Sequence, residues 1–279
     1  MKLLRVGASG AEKPAILAAD GSIRDLSATV HDFDAATLSP VGLERLAQLD
    51  PMSLPVAAPG RIGPCVPRPL NFICIGLNYA DHAAETGAAI PKEPIVFLKS
   101  LGAFCGPNDD VHIPRGSTKT DWEVELCIVI GSRASYVSEA GAMDHVAGYC
   151  IVNDVSEREY QIERGGTWDK GKGCDTFGPT GPWLVTKDEV PDPQKLAMFL
   201  DVDGKRMQNG STATMIFGVA KLVSYVSHFM TLHPGDLIST GTPPGVGLGM
   251  KPPVYLHAGQ IMRLGIAGLG EQTQRVLQG

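Results

Sequence analysis

The sequence predicts an α+β fold dominated by β-strands, arranged as a sandwich or a barrel-like roll. Short β-branched runs recur along the chain between turn signals, which favours such a roll over alternating βαβ units. The 279 residues include 33 glycines and 21 prolines, so turns are frequent and long helices are few. A single segment has strong helical periodicity. These observations predict β-strands around one substantial helix.

The first 65 residues are predicted to form a small N-terminal module. The chain from 70 to 279 is predicted to form the larger domain, after a proline- and glycine-rich linker between Ser53 and Pro69. The features predicted within the module are the strands Lys2–Val6 and Ala15–Leu17, a turn at Asp20-Gly21 and a helix around Pro40–Leu49.

The larger domain is predicted to contain eight strands and one amphipathic helix. Its strands are predicted at Phe72–Gly76, Ile95–Lys99, Glu123–Gly131, Ala147–Asp154, Trp183–Thr186, Leu200–Asp203, Asp236–Ser239 and Gln260–Ile266. The helix is predicted from apolar residues at i, i+3, i+4 and i+7, which should face the core. These residues are Val219, Leu222, Val223, Val226, Phe229 and Met230.

Charge and cysteine content exclude several classes of protein. The formal net charge of −6 disfavours a nucleic-acid-binding surface. The six cysteines form no CxxC pair, and several stand inside apolar runs, which indicates buried free thiols and a reducing compartment. Neither a signal peptide nor an apolar run of about 18 residues is evident. We therefore expect a cytoplasmic protein without membrane or nucleic-acid partners.

The segment Asp121–Ile130 contains two carboxylates that a strand would place on one face. Glu123 and Glu125 would lie roughly 7 Å apart, and the opposite face would pack in the core through Val124, Leu126, Ile128 and Ile130. Such a pair suits either a solvated sheet face or a bound hard cation. Asp154 follows the apolar run Tyr149–Val152 and either caps a turn or completes a three-carboxylate site.

Three further segments carry candidate polar groups. His82 and Glu85 share one face of a helical turn and form either an incidental surface pair or a general base oriented by a carboxylate. Lys172, in a glycine-rich polar loop, is either solvated or bound to an anionic substrate. The segment Ser239–Gly247 forms a tight turn or a backbone N–H site for a carboxylate.

The order of these motifs resembles the fumarylacetoacetate hydrolase family over about residues 70–268. The similarity extends to the bacterial branch labelled ureidoglycolate lyase or 2,4-diketo-3-deoxy-L-fuconate hydrolase. The motifs are GLNYADHAAETG, PIVFLKS, DWEVELCIVIG, GYCIVNDVSERE, GKGCDTFGPTGPW, QNGSTATMIF and STGTPPGVG. The resemblance implies a mixed β-sandwich roll and a homodimer. Cys174 stands where family members often have Phe, which we expect to alter the pocket wall.

The resemblance also implies roles for particular residues. Glu123, Glu125 and Asp154 are expected to bind Mg²⁺ or Mn²⁺, with Ca²⁺ as a substitute. His82, held by Glu85, is expected to activate water, and Lys172 to stabilise negative charge in the reaction. The residues expected to bind substrate are Asn78, Tyr79, Gln161, Thr240, Gly241 and Thr242.

The predicted activity is divalent-metal-dependent hydrolysis of the C–C bond in a small anionic oxo acid. The substrate is expected to be a 2,4-dioxo acid, either an acylpyruvate or a 2,4-diketo-3-deoxy sugar acid, and the products pyruvate and an acid. Two alternative activities use the same site: ureidoglycolate cleavage to glyoxylate and urea, and oxaloacetate decarboxylation. A binding module whose carboxylates are only structural is the non-enzymatic alternative.

Overall fold

The computed structural model describes residues 1–87 and 89–279, in which most secondary structure is β-strand. The strands are β1 (Lys2–Val6), β2 (Lys13–Leu17), β3 (Ile23–Asp25), β4 (Phe72–Gly76), β5 (Ile95–Leu98), β6 (Phe104–Cys105), β7 (Val111–Ile113), β8 (Thr120–Asp121), β9 (Val124–Ile130), β10 (Val146–Asn153), β11 (Ser156–Glu157), β12 (Gly178–Thr186), β13 (Ala197–Val202), β14 (Lys205–Ser211), β15 (Leu237–Ser239), β16 (Ile261–Ile266) and β17 (Gly270–Gln278).

The helices in these ranges are short and lie between the strands. The α-helices are α1 (Ala35–Leu38), α2 (Pro40–Ala47), α3 (Ala80–Thr86), α4 (Asp169–Lys172) and α5 (Val219–Ser227). A π-helical turn spans Glu159–Glu163. The 3₁₀ turns are Pro51–Ser53, Glu139–His145, Lys187–Glu189, Thr212–Thr214 and Gly247–Gly249.

Two large sheets and one strand pair make up the β-structure of the described residues. The ten-stranded sheet has the order β3-β2-β1-β12-β10-β9-β15-β4-β5, with β6 paired to β12. The five-stranded sheet has the order β14-β13-β16-β17-β7, and β8 pairs with β11. Most pairs are antiparallel, whereas β15 with β4, β17 with β7 and β12 with β6 are parallel. The predicted β-dominated α+β fold with mixed sheets is confirmed.

Strand β9 is buried on both faces because the ten-stranded sheet separates two hydrophobic cores. Leu126 and Ile128 face the core shared with the five-stranded sheet and α5. Cys127 and Val129 face the core shared with the N-terminal strands and α1–α2. This alternation follows from the two-residue period of a strand.

The N-terminal segment extends the larger sheet, because β1 pairs with both β2 and β12. Its helices begin at good capping residues: Asp34 accepts from the N–H of Thr37, and Ser39 accepts from the N–H of Gly42. The predicted strand Lys2–Val6 and the helix starting at Pro40 are present. The division into residues 1–65 and 70–279 stays a prediction.

Two local predictions are wrong. Helix α5 ends at Ser227, and Phe229 is 65% exposed, although its spacing placed it on the core face. The N–H groups of Phe229 and Met230 both point to the Val226 carbonyl, so the chain has already left the regular helix. The glycine-rich segment that contains Lys172 was predicted as a loop, but it includes α4 and follows directly on the π-helical turn.

The six cysteines are all free thiols, of which Cys65, Cys74, Cys127 and Cys150 are buried. Cys105 and Cys174 are half-buried. Within the residues described, no helix is both long and apolar enough to cross a membrane.

Candidate metal and active site

Three buried carboxylates meet where β9 begins and β10 ends. Glu123 precedes β9, Glu125 is its second residue, and Asp154 follows β10. The antiparallel register opposes Glu125 to Val152, and the Asp154 N–H donates to the Glu123 carbonyl at 2.9 Å. Carboxylate oxygens from the three side chains lie within 4.8 Å of one another. The structure therefore brings together the three residues that the sequence suggested as metal ligands.

Three cationic side chains surround these carboxylates. Lys172 Nζ lies 2.6 Å from Glu123 Oε2 and 2.7 Å from Asp154 Oδ2. Lys99 Nζ lies 2.6 Å from Asp154 Oδ1, and an Arg158 nitrogen lies 2.7 Å from Glu123 Oε1. All five side chains are at least nine-tenths buried. A charge removed from water needs such partners, because an unpaired buried ion is strongly destabilising.

The cations keep Glu123 ionised despite its burial. Burial favours the neutral acid, but the positive charges of Lys172 and Arg158 outweigh it and lower the pKa of Glu123 to about 2. The same pairing acts in reverse on Lys172: burial disfavours its ammonium form, yet the charges of Asp154 and Glu123 raise its pKa above the ordinary lysine value. The Lys172–Glu123 contact is therefore an ion pair at neutral pH.

Glu125 has a different environment, because neutral donors hold it. The Ser239 hydroxyl donates to Glu125 Oε2 at 2.6 Å, and the Gly241 N–H donates to the same oxygen at 2.9 Å. Burial, followed by the negative charges of Asp154 and Glu123, raises the pKa of Glu125 well above its usual range. Ionised Glu125 therefore requires additional positive charge beside it.

This set of carboxylates fits a divalent cation. Two ligand oxygens on opposite sides of a bound ion lie about 4.2 Å apart for Mg²⁺ and about 4.6–5.2 Å apart for Ca²⁺. The separations of at most 4.8 Å between the three carboxylate oxygens are in this range. Asp154 Oδ1 accepts no hydrogen bond within the described residues, although Lys99 Nζ is close. An all-oxygen donor set selects Mg²⁺, Mn²⁺ or Ca²⁺ over zinc or copper. Glu123, Glu125 and Asp154 would hold such an ion.

The predicted histidine–glutamate pair is present on α3. His82 Nδ1 lies 3.2 Å from Glu85 Oε2, and the Gly245 N–H points to both Glu85 oxygens at 3.1 and 3.2 Å. A Cβ on Gly249 would lie 2.9 Å from the Glu85 carboxyl carbon, so bare backbone packs against this carboxylate. Glu85 is thus fixed by the glycine-rich segment after β15, and it fixes the imidazole in turn.

One cavity of about 220 Å³ connects the carboxylates with His82. Its polar lining comes from His82, Glu123, Glu125, Asp154, Arg158, Gln161, Lys172 and Thr242, with Gly241 beside them. Its remaining lining comes from Ile75, Gly76, Leu77, Phe97, Ile162, Trp168, Val246 and Leu248. A cavity lined by a histidine, three clustered carboxylates and a lysine has groups that can carry out metal-assisted acid–base chemistry.

The residues predicted to bind substrate divide into two groups. Gln161, Gly241 and Thr242 line the cavity. Asn78, Tyr79 and Thr240 lie behind its wall and are fully buried. The Asn78 amide donates to the Thr240 carbonyl at 2.8 Å, and the Thr240 hydroxyl donates to the Leu126 carbonyl at 2.8 Å. Asn78 and Thr240 thus brace the loop that carries Gly241, whereas the Tyr79 hydroxyl donates to Met198 Sδ at 3.3 Å.

Lys99 and Arg158 belong to the site but were not predicted from the sequence, and for Ser239 only its segment was predicted, not the hydroxyl contact with Glu125. Lys99 directly follows the apolar strand β5, and Arg158 follows Asp154 by four residues, which are the available signals. From the sequence alone, either side chain could equally be a solvated charge on the surface. Their placement depends on the pairing of segments that are far apart along the chain.

The fold and the site together define a metal-dependent enzyme. Residues 71–277 match the family model described as fumarylacetoacetate (FAA) hydrolase C-terminal. The chain belongs to the fumarylacetoacetate hydrolase family.

Relatives in sequence and structure match along nearly the whole chain. A Burkholderia multivorans protein is 66% identical over 276 residues, 98% of each chain. Its name describes it as a hydrolase and gives no substrate. A fumarylacetoacetate hydrolase from Exiguobacterium antarcticum has 34% identity and a TM-score of 0.87, with 100% of both chains covered. A maleylpyruvate hydrolase from Sphingobium sp. SYK-6, solved with manganese(II) and pyruvate, has 28% identity and a TM-score of 0.82, also with 100% of both chains covered.

Proposed function

We propose that this protein hydrolyses the C–C bond of a 2,4-dioxo acid and releases pyruvate and a second acid. Acylpyruvates and 2,4-diketo-3-deoxy sugar acids are substrates of this kind. The observation that carries the proposal is that the His82–Glu85 pair lines the same cavity as the carboxylates Glu123, Glu125 and Asp154. The similarity to a maleylpyruvate hydrolase solved with pyruvate supports this substrate class.

His82 is the general base of the proposed reaction. With its proton on Nδ1, the ring donates to Glu85, and Nε2 is the basic nitrogen that takes a proton from water. The water oxygen bonds to C4 of the substrate, the C3–C4 bond breaks, and its electron pair passes to the pyruvyl fragment. A proton then returns to C3 to give pyruvate. Glu85 stabilises the imidazolium formed in the first step.

The remaining polar groups bind and stabilise the pyruvyl end. We assign Lys172 to the negative charge that develops on the departing fragment, because it is a cation on the cavity wall. Gln161, Gly241 and Thr242 are assigned to substrate binding, and Asn78 and Thr240 to the positioning of the loop that carries Gly241. A cation held by Glu123, Glu125 and Asp154, which we propose to be Mg²⁺ or Mn²⁺ with Ca²⁺ as a substitute, supplies Lewis-acid polarisation of the substrate.

The His82–Glu85 pair favours hydrolysis over the two alternative reactions. Cleavage of ureidoglycolate to glyoxylate and urea requires no attack by water, and decarboxylation of oxaloacetate requires only an electron sink. A base oriented by a carboxylate, which is itself held by Gly245, is needed where water must be activated. We further propose that the protein acts as a homodimer.

A substrate panel tests the proposal. Purified protein with Mg²⁺ or Mn²⁺ is offered acetylpyruvate, a 2,4-diketo-3-deoxy sugar acid, ureidoglycolate and oxaloacetate, and release of pyruvate or urea is measured. We expect the largest kcat/KM for a 2,4-dioxo acid. Faster turnover of ureidoglycolate or oxaloacetate would assign the protein to that reaction instead. Binding of all four without turnover would favour the non-enzymatic alternative.

A further inference from the structure

We propose that the cavity selects 2,4-dioxo acids whose C4 substituent is apolar and uncharged, and that Phe97 and Trp168 form the subsite for this substituent. This inference rests on the proposed function and narrows its substrate class. It favours alkyl- or aryl-acylpyruvates over dicarboxylic acylpyruvates and over sugar acids. Six side chains make up what we call the apolar wall: Leu77, Phe97, Ile162, Trp168, Val246 and Leu248.

The apolar wall begins directly beside the catalytic cluster. Lys172 Nζ lies 5.6 Å from the centre of the Phe97 ring, and the Trp168 ring lies 5.3 Å from Phe97 in an edge arrangement of 67°. A substituent that extends along the cavity from the reacting carbonyl therefore meets aromatic surface. Because Phe97 and Trp168 are only half-buried in the protein, part of their surface remains to be covered by a ligand.

The backbone around the wall is shaped to hold it. Gly76 ends β4 against the indole of Trp168, and a Cβ at Gly76 would overlap the indole ring. The next residue, Leu77, has φ of 49°, a conformation that costs a non-glycine residue of order 1 kcal/mol or more. Both features bring apolar side chains into the cavity at the end of a buried strand.

The cations that line the cavity already have ionic partners. The Arg158 guanidinium contacts the carboxylates of Asp121 and Glu123 and donates to Gln161 Oε1 at 3.0 Å. Lys172 contacts Glu123 and Asp154. A second carboxylate on the substrate would meet the apolar wall or would compete for these pairs. A buried charge without a partner is disfavoured.

Two further cations, Arg164 and Lys170, lie in the segment between Ile162 and Lys172. Arg164 contacts Glu159 and lies over the Tyr160 ring at 4.6 Å, and Lys170 donates to the Arg164 carbonyl. Neither residue lines the cavity. The hydroxyls of a sugar acid would lose hydrogen bonds to water against the apolar wall without receiving replacements.

Two substrates of equal size test the charge preference. 4-Methylpentanoylpyruvate and succinylpyruvate have the same number of heavy atoms beyond C4, and both chains end in a branched group. This group is an uncharged isopropyl group in the first compound and a carboxylate in the second. We expect kcat/KM, measured by pyruvate release, to favour the methylpentanoyl compound by at least about 30-fold. A single methylene in an apolar pocket already discriminates by about 10–200-fold, and burial of an unpaired carboxylate costs more.

Variants test whether the aromatic residues are responsible. Trp168→Ala should lower kcat/KM for 4-methylpentanoylpyruvate by about tenfold, mainly through KM, and that for acetylpyruvate by about twofold or less, because a methyl group reaches the wall least. Trp168→Phe should restore most of the loss. Trp183→Ala is the matched control, because Trp183 lies outside the cavity and contacts Gly270. Phe97→Leu provides a second variant if Trp168→Ala folds poorly.

The outcomes separate this inference from the proposed function. Pyruvate release from both long substrates at similar rates, or faster from succinylpyruvate, would overturn the inference and leave the proposed function standing. Equal losses for acetylpyruvate and the methylpentanoyl compound in Trp168→Ala would also overturn it, because a general structural effect would explain them. Absence of pyruvate release from all three substrates would overturn both.

Discussion

Replacement of His82 by alanine removes the proposed base while it leaves the three carboxylates in place. His82 lies on α3, whereas Glu123, Glu125 and Asp154 lie at the ends of β9 and β10. We therefore expect His82→Ala to abolish water activation without a large change in cation affinity. A well-placed base contributes about 10²–10⁴-fold to a rate, which is the expected loss in kcat for a 2,4-dioxo acid.

The contacts of Glu85 set the magnitude for a second, milder variant. Glu85→Gln keeps an acceptor for the His82 ring and for the Gly245 N–H but removes the negative charge. Hydrogen bonds to charged groups contribute about 1.5–3 kcal/mol and neutral ones about 0.5–1.5 kcal/mol. The difference of about 1–1.5 kcal/mol corresponds to a loss of about five- to thirteenfold in kcat.

The assay compares two reactions of the same preparations. Hydrolysis of acetylpyruvate and decarboxylation of oxaloacetate are both followed by pyruvate formation, with Mg²⁺ affinity measured by calorimetry and His257→Ala, an exposed histidine, as the control. Hydrolysis should fall far more than any decarboxylation. Equal loss of both activities would show that His82 positions substrate or closes the site. Unchanged hydrolysis would refute its role as a base.

Three further predictions concern the carboxylates and their cations. Glu123→Gln and Asp154→Asn should each weaken Mg²⁺ binding at least about tenfold in calorimetry while the circular dichroism spectrum is retained, and unchanged affinity in both would place the ion elsewhere. Lys99→Met should lower the free energy of unfolding in urea by about 3–5 kcal/mol without Mg²⁺, because Asp154 loses a fully buried partner; a change below about 1 kcal/mol would contradict the pairing. Removal of metal by EDTA should abolish turnover, and Mg²⁺ at 100 times its Kd should restore it and stabilise the fold by about 2.7 kcal/mol; full activity after chelation would contradict metal dependence.

Local patterns in the sequence predicted ten of the seventeen strands in the described residues, but not the long strands β14 and β17, and they singled out the three carboxylates of the candidate metal site. In β9 the alternation of Val124 and Leu126 with Glu123 and Glu125 fixes which face each side chain occupies, and the structure has the same alternation. The end of α5 was misjudged because Phe229 continues the apolar spacing after the hydrogen-bonding pattern has changed. A periodic apolar pattern predicts which residues can share the buried face of a helix, but it does not predict where the helix ends.

The ion pairs of the site could not be predicted, because they depend on contacts between distant segments. Lys99 and Asp154 are 55 positions apart and meet only once β4–β5 and β9–β10 have joined the same sheet. The sequence offers no rule that assigns one lysine among many to one carboxylate. The same holds for Arg158, whose two carboxylate partners lie in the segment before β9.

The charge balance of the site connects the cation to the substrate. Lys99, Lys172 and Arg158 face four carboxylates, which leaves one negative charge when all four are ionised; the carboxylates are Asp121, Glu123, Glu125 and Asp154. A substrate carboxylate would be repelled by this arrangement. A bound dication would change the balance to one positive charge, which a single substrate carboxylate neutralises. A second substrate carboxylate would again leave an excess negative charge in a buried site, which is unfavourable. The charge balance that requires the cation therefore also favours a substrate with one carboxylate and an apolar tail.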